Sequence, residues 1–401
     1  MSSTIWKDVR RKAPLYLGFI ATGVALTIPG AILPLLLMRW SMNDARGGLL
    51  LFCFYGVGSL GSYSARGRMN RSIARGSVLT LLGALALGWA GQWTAYGAIA
   101  LYGLGLSLTM TSISLLLSQR FPEKRRLELT RLNLVWAIGA ALGPWIALRS
   151  TRGRSITQWD AVLHAQHVLL GVAIFFAFAA AWSLWIEQST PLAASAVAER
   201  PQESASRRRD GARFGVPWPL LVLIFGATGV DAAAGGWLTA YAQRAGDSLG
   251  ITIGAATFLW LGSLVSRAVH STAWASRLPE RWVLGSSMVA MTGALALLIA
   301  WPLGVVTMLA AAVLGLAAGP VYPLVIAAAL RHRENSTVFT IAGVGASLLP
   351  LATGMVSNWT HSLRAGLGVP LLAAAVMVVV VGVSRSALEG KEQAVIEALS
   401  G

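Results

Sequence analysis

Twelve apolar runs, each about 20 residues long, follow one another along the chain and are separated by short segments that hold most of the charge. A helix needs roughly 20 mainly apolar residues to cross the hydrocarbon core of a bilayer. The ten-residue alternation typical of a lipid-embedded β-barrel is absent, so the runs predict helices. Only 12% of the residues are charged, whereas water-soluble domains carry about 25%. The sequence therefore predicts an all-α membrane protein.

The predicted spans are 14–38, 48–65, 76–93, 95–118, 129–148, 163–186, 216–243, 249–275, 282–301, 303–330, 336–357 and 363–384. The breaks near Trp93 and Pro302 are the weakest in the pattern.

The net charge is +16, and the basic residues are distributed as membrane topology predicts rather than clustered as in a nucleic-acid-binding surface. If the amino terminus is cytoplasmic, the cytoplasmic segments hold 24 of the 32 Lys and Arg residues. This asymmetry is typical of inner loops and predicts that both termini are cytoplasmic. The outer segment RSTRGR (149–154) is the one loop that departs from the rule. We expect the basic excess to contact anionic lipid, with no nucleic-acid partner and with the bacterial inner membrane as the location.

The chain divides into two halves of six spans each. Residues 187–215 are polar and rich in Ala, Ser, Arg and Glu, which predicts a cytoplasmic linker between bundles 1–186 and 216–401. GAALGP (139–144) in span 5 is echoed by GASLLP (345–350) in span 11, at an offset of 206 residues. Duplicated six-span halves are typical of transporters that bind substrate between the halves near the membrane midplane.

Four stretches resemble the major facilitator superfamily, and within it the branch that includes fucose/glucose permeases. They are RWSMNDARGGLL (39–50), RLNLVWAIGAALGP (131–144), GVDAAAGGWLTAY (229–241) and GVGASLLPLATG…SLRAGLGVPLL (343–372). The resemblance implies two pseudo-symmetric six-helix bundles and, by branch, a sugar or related metabolite as substrate. Proton-coupled sugar members of this branch carry carboxylates in spans 1 and 4. Neither span has one here, so the resemblance gives no support for proton symport by that route.

The loop between spans 2 and 3 resembles the gating loop of the superfamily in part. GSYSARGRMNR (61–71) keeps Gly61 and Arg66, but Ala65 stands where the superfamily pattern has Asp. Gly61 and Arg66 remain candidate gating residues, without the acid-centred latch of the family.

Asp231 lies near the middle of span 7. A charge at that depth costs at least about 2.5–3.5 kcal/mol, and ionisable residues there usually face a cavity or pathway. Asp231 is therefore our candidate proton carrier. The alternatives are a structural carboxyl or a partner of a nearby cation.

Arg267 in span 8 is the one Lys or Arg that lies deep inside a span rather than near its end. Three roles stay open: pairing with Asp231, contact with an anionic substrate, or extension of the side chain to the inner surface.

Five further side chains could supply hydrogen bonds and stacking surfaces to a polyhydroxyl solute. They are Asn133, Trp136, Trp237, Tyr241 and Tyr322. Interfacial anchoring is the alternative for the Trp residues, of which the chain has 16.

Enzyme and metal signatures are weak or absent. The single Cys53 allows no intrachain disulfide. His164, His167 and Asp160 near the start of span 6 form at most a poor metal site, and no Gly-rich phosphate loop occurs. The first apolar run is longer than the apolar part of a cleavable signal peptide. We expect no enzyme activity, no cofactor and no metal.

The favoured hypothesis is a monomeric secondary transporter that moves a small polar solute by alternating access, with proton coupling through Asp231 left open. The alternatives are efflux of amphipathic or drug-like compounds and a non-transporting membrane sensor or scaffold.

Overall fold

The computed structural model describes residues 2–65, 67–121, 125–149, 158–188, 216–245, 249–272, 278–332 and 337–383. Within these ranges the chain forms twelve long helices and no strand. The first six are α1 Ser2–Arg39, α2 Asp44–Tyr63, α3 Met69–Trp89, α4 Thr94–Arg120, α5 Arg125–Arg149 and α6 Gln158–Gln188. The second six are α7 Trp218–Arg244, α8 Leu249–His270, α9 Glu280–Ala300, α10 Gly304–His332, α11 Thr337–Thr360 and α12 Gly368–Val383. Most of the predicted linker lies outside the described residues.

The two weakest predicted breaks are real breaks. Trp89 ends α3 and Thr94 begins α4, where the Thr94 hydroxyl accepts a hydrogen bond from the Gly91 amide at 2.9 Å. Ala300 ends α9, and Gly304 begins α10 with a φ of +49° that favours glycine. The last predicted span differs from the structure, because a helical turn at Leu363–Gly366 precedes α12.

Nine of the twelve described helices are long and apolar enough to cross a membrane; α2, α5 and α8 fall below that limit. These three lie along the boundary between the two halves, where α2 packs against α11 and α5 against α8. Neighbouring helices, rather than lipid, cover much of their surface. A helix in that position tolerates more Gly, Ser and charged residues than a lipid-facing one.

The two halves are built on the same backbone contact. A Cβ on Gly139 of α5 would lie 1.9 Å from the Ile20 carbonyl oxygen of α1, and a Cβ on Gly345 of α11 would lie 2.1 Å from the Phe225 carbonyl oxygen of α7. Gly139 and Gly345 are the equivalent glycines of the repeated six-residue motif. Small residues let helix backbones touch where no hydrophobic effect drives their association. The repeat thus marks the same helix pair in each half.

The halves meet at the end of the bundle that contains the α1–α2 loop, which we call the outer end after the predicted orientation. There α1 packs on α7 so closely that a Cβ on Gly30 would lie 2.1 Å from the Gly235 carbonyl oxygen. Over their described residues, α4 and α10 make no comparable contact with each other. The bundle is therefore closed between α1 and α7 at its outer end.

A bidentate ion pair strengthens this closure. Two nitrogens of Arg244, at the end of α7, each lie 2.6 Å from an oxygen of Asp44, at the start of α2. The Ser357 hydroxyl of α11 donates a third hydrogen bond to the same carboxylate at 2.5 Å. Burial alone would raise the pKa of Asp44, but the Arg244 and Ser357 hydrogen bonds and the Arg244 charge hold the pKa below its usual value.

A second ionic cluster lies at the opposite end, within the first half. Glu128 of α5 exposes 1% of its side chain. It accepts hydrogen bonds from Lys12 Nζ at 2.8 Å, from the Tyr16 hydroxyl, and from Arg131 at 3.4 Å. Lys12 also lies over the Phe121 ring, 4.1 Å from its centroid. This cluster fastens the beginning of α5 to α1.

Candidate functional site

Four polar side chains from four helices lie near one another between the halves: Asp231 acts electrostatically on Tyr55 and Arg267, and Arg267 acts on Tyr322. Asp231 of α7, Arg267 of α8 and Tyr55 of α2 are half-buried, and Tyr322 of α10 exposes 37% of its side chain. Protein atoms nonetheless surround each of these groups almost completely. A side chain that keeps accessible surface while enclosed by protein lines a cavity rather than the outer surface. Asp231, Arg267 and Tyr322, predicted as site residues, are thus brought together.

Asp231 is the acidic member of this group and belongs to the middle of α7. It lies midway between Trp218 and Arg244, the two ends of α7. Among the described residues, no basic nitrogen lies within 4.0 Å of its carboxylate and no donor makes a hydrogen bond to it. Arg267 is the charged group that acts electrostatically on it. The carboxyl group is therefore enclosed by protein, keeps some accessible surface, and has no ion-pair partner among the described residues.

Arg267 connects the cavity to the first half of the chain. Its guanidinium carbon lies 4.9 Å from the centroid of the Trp136 ring on α5, which is a cation–π distance. Trp136 in turn packs edge-on against Trp260 of α8, with 6.0 Å between ring centroids. Arg267 Nε and Trp136 Nε1 are both buried and, within the described part of the chain, have no hydrogen-bond acceptor.

Trp237 and Tyr241, predicted as substrate-binding residues, are packed between helices in this conformation. Trp237 exposes 0% of its side chain, and its Nε1 donates to the Pro350 carbonyl oxygen at 2.9 Å. Its ring lies 2.8 Å from the Cβ position of Gly354. Tyr241 exposes 3%, and its hydroxyl donates to the Leu298 carbonyl oxygen. The structure therefore does not bring these two side chains to the cavity.

The remaining predicted residues lie elsewhere. Asn133 is exposed, and its amide donates to the Leu129 carbonyl oxygen at 3.0 Å within the same helix. Gly61 is a packing position, because a Cβ there would lie 2.2 Å from the Leu104 carbonyl oxygen of α4. Arg66, the other candidate gating residue, lies outside the described residues.

No set of three possible metal ligands occurs among the described residues. His164, one of the weak metal candidates, places its Nε2 3.0 Å from the Ala147 carbonyl oxygen.

Three charged residues of the ionic clusters, and Tyr55 beside Asp231, were not predicted from the sequence. Glu128 resembled an ordinary charge at a helix end, since basic residues surround it in the sequence. Asp44 and Arg244 are 200 residues apart, so nothing local indicates their contact. One sequence signal could have predicted the Glu128 ion pairs: an acid close to several basic residues at the start of a span.

A bundle of membrane-crossing helices in two similar halves, with ionisable groups in a cavity between them, defines a membrane transport protein. The sequence model of the Major Facilitator Superfamily matches residues 15–348, and the chain belongs to that family. It is an integral multi-pass membrane protein that transports small solutes.

Solved structures of transporters share the fold over nearly their whole length. The xylose transporter XylE from E. coli, in a partially occluded inward-open conformation, matches with a TM-score of 0.69 and 13% identity, covering 92% of this chain and 97% of that one. The nucleoside transporter NupG matches with a TM-score of 0.65 and 14% identity, covering 94% and 98%. The E. coli fucose:proton symporter FucP matches with a TM-score of 0.55 and 16% identity, covering 93% and 98%. A search of curated protein sequences finds no match.

Proposed function

We propose that the chain is a secondary transporter of a small polar solute, a sugar or related metabolite, and that Asp231 carries a coupled proton. The observation that carries this proposal is the position of Asp231. It is central in α7, enclosed by protein, open to the cavity and without an ion-pair partner within 4.0 Å among the described residues.

The physical argument rests on desolvation. A carboxyl group surrounded by protein at the middle of a membrane helix favours its neutral, protonated form. When the cavity opens to a compartment, water reaches the group and allows it to ionise. A carboxyl group whose protonation changes with the side that it faces couples proton movement to the alternation of the two halves.

The moving parts that we propose are the bundles 1–186 and 216–401, which rock about the cavity. The closure between α1 and α7, together with the Asp44–Arg244 pair, holds the outer end shut. Opening of that end requires both contacts to separate. We further propose that the protein is a monomer in the bacterial inner membrane, with both termini in the cytoplasm.

Within the cavity we assign Arg267, Tyr322 and Trp136 to the solute. A guanidinium and a phenol hydroxyl can bond hydroxyl and carbonyl oxygens, and the indole Nε1, which has no acceptor among the described residues, can donate a further hydrogen bond. These groups come from both halves, because Trp136 belongs to α5 whereas Arg267 and Tyr322 belong to α8 and α10. A solute that bridges them contacts both moving bundles.

The test is uptake of a solute panel into proteoliposomes with and without a pH gradient. In Asp231→Asn we expect counterflow to persist, because exchange needs no net proton movement, while gradient-driven accumulation is lost. Glu280→Gln, which removes an exposed carboxylate at the start of α9, is the matched control and should accumulate normally. Accumulation that is unchanged in Asp231→Asn would refute the proton role.

Efflux of amphipathic compounds is the second candidate, favoured by the Trp136–Trp260 aromatic wall. The same vesicles separate the two functions. An efflux protein would move lipophilic dyes rather than sugars, and the dyes would compete with each other rather than with polar solutes.

A further inference from the structure

Two buried hydrogen-bond donors lie in one contact without acceptors. Arg267 Nε and Trp136 Nε1 have no partner among the described residues, although the guanidinium sits 4.9 Å from the Trp136 ring centroid. Trp136 exposes only 6% of its side chain. Buried donors are nearly always paired, since an unpaired one is costly. Two such donors, on side chains that contact each other, fit an acceptor that a ligand brings.

The charges of Arg267 and Asp231 indicate what charge the ligand carries. Arg267 is the one Lys or Arg deep inside a predicted span, since Arg131 and Arg364 lie within three residues of the start of theirs. With Asp231 ionised, the two charges cancel over the cavity. With Asp231 protonated, the cavity has one uncompensated positive charge, which an enclosed site of low dielectric strongly disfavours. One negative charge on the ligand restores the balance.

We propose that the solute carries a carboxylate, which Arg267 and Trp136 bind, and that Asp231 is protonated while the carboxylate is bound. The inference rests on the proposed transport function and narrows its substrate to a small acidic solute such as a sugar acid. A planar guanidinium matches a carboxylate in geometry and charge. A dianionic phosphate would leave one charge unmatched, and a cationic compound would be repelled by Arg267.

The arrangement makes proton and anion mutually dependent. The anion favours protonation of Asp231, and by reciprocity the proton favours the anion. The other groups that face the pair are the phenols Tyr55 and Tyr322, which stay neutral below about pH 10. One proton and one monoanion cross together, so uptake responds to a pH gradient and not to membrane potential.

Binding is tested on the full-length purified protein by ligand-induced thermal stabilisation. The probes are D-gluconate and D-glucuronate, with their neutral counterparts D-glucitol and D-glucose. We expect the acids alone to stabilise the wild type, and more strongly at pH 6 than at pH 8 by linkage with Asp231. Stabilisation by the neutral compounds to the same extent, or by neither acid, overturns the proposal.

Trp136→Phe keeps an aromatic ring at this position and removes the Nε1 donor. We expect it to weaken acid binding about tenfold, as the loss of one hydrogen bond to a charged group does. Trp182→Phe, an exposed ring of α6 that stacks on Phe178, is the matched control and should bind as the wild type does. Arg267→Ala should abolish binding, and Trp136→Phe keeps the test valid if that variant does not fold. Unchanged gluconate affinity in Trp136→Phe would contradict the subsite.

The outcomes also separate this inference from the function on which it rests. Gradient-driven uptake of a neutral sugar without any acid binding would support the proposed function and refute the proposal that the solute carries a carboxylate. Acid binding that depends on Trp136, combined with unchanged accumulation in Asp231→Asn, keeps the carboxylate subsite and removes the proton role.

Discussion

Asp44 at the start of α2 and Arg244 at the end of α7 are joined by two parallel hydrogen bonds across the boundary between the halves. Asp44 is largely buried, with 11% of its side chain exposed, whereas Arg244 is 45% exposed. In the rocking motion proposed above, opening separates α2 from α7, so the pair contributes only while the outer end is closed. It therefore biases the conformational equilibrium rather than the stability of either half.

Asp44→Asn should shift that equilibrium towards the outward-open state by about fivefold. Exposed ion pairs contribute about 1 kcal/mol or less, and the solvent around Arg244 keeps this pair near that range. The measurement is the distance between spin labels on the outer ends of α2 and α7, after Cys53→Ser. Arg46→Gln is the control, since Arg46 lies over Trp93 of its own half, 5.5 Å from the ring centroid. Equal distances in Asp44→Asn and the wild type would exclude the bias.

The outer closure should not respond to pH between about 5 and 8. Asp44 precedes the predicted span, and Arg244 and Ser357 hold its pKa below the usual value despite burial. Stabilisation from a lowered pKa is complete above the unfolded value and is lost only as the pH falls through the lower folded value. The same spin-label distances, recorded across this range in Asp231→Asn, should stay constant. A transition near neutral pH would point to another group.

Glu128→Gln should lower stability in detergent by about 2–4 kcal/mol. The change removes the carboxylate at the centre of the cluster, where Glu128 exposes 1% of its side chain, and breaking a buried ion pair is costly. Arg131→Gln is the control, because Arg131 is 56% exposed and its loss should cost under about 1 kcal/mol. Thermal unfolding followed by fluorescence gives both values. Similar losses in the two variants would mean that Glu128 is not the centre of the cluster.

Gly139→Ala should destabilise the first half by about 1–3 kcal/mol or more, since the added Cβ meets the Ile20 backbone and not a flexible side chain. Gly171→Ala offers the control on α6, where a Cβ meets nothing within 4 Å. Unfolding midpoints of the two variants measure the difference. Gly345→Ala should reproduce the loss in the second half, and a neutral effect at either glycine would argue against backbone contact there.

Trp237→Phe should change the conformational equilibrium and leave solute affinity unchanged. The substitution keeps an aromatic ring at this position and removes the hydrogen bond to Pro350, which is worth about 1 kcal/mol. Solute binding and spin-label distances on the same protein separate the two effects. A loss of affinity without a conformational shift would restore Trp237 to the binding site predicted from the sequence.

The sequence was sufficient to predict the number of helices and most of their boundaries, because a bilayer allows few alternatives to apolar helices of a set length. It also placed Asp231 at the centre of α7 by counting residues along one run. Predictions based on composition and periodicity succeed where one physical constraint acts along the chain.

Side-chain partners were beyond prediction where they depend on how the helices assemble. Trp237 and Tyr322 were candidates of equal standing, but the rotation of α7 buries Trp237 against Pro350 while α10 presents Tyr322 to the cavity. The contact between Arg267 and Trp136 likewise needs α8 to lie beside α5, and no pattern within either helix indicates that neighbour.

The paired contacts at Gly139 and Gly345 bear on how far such sequences can diverge. Where two helices pack through their backbones, the contact positions require glycine. The surrounding apolar residues can be exchanged for one another. A fold that requires glycine at a few helix contacts can keep its chain trace while most of the other residues are substituted. This small number of constrained positions is consistent with the fold that this chain shares with the xylose transporter at 13% identity.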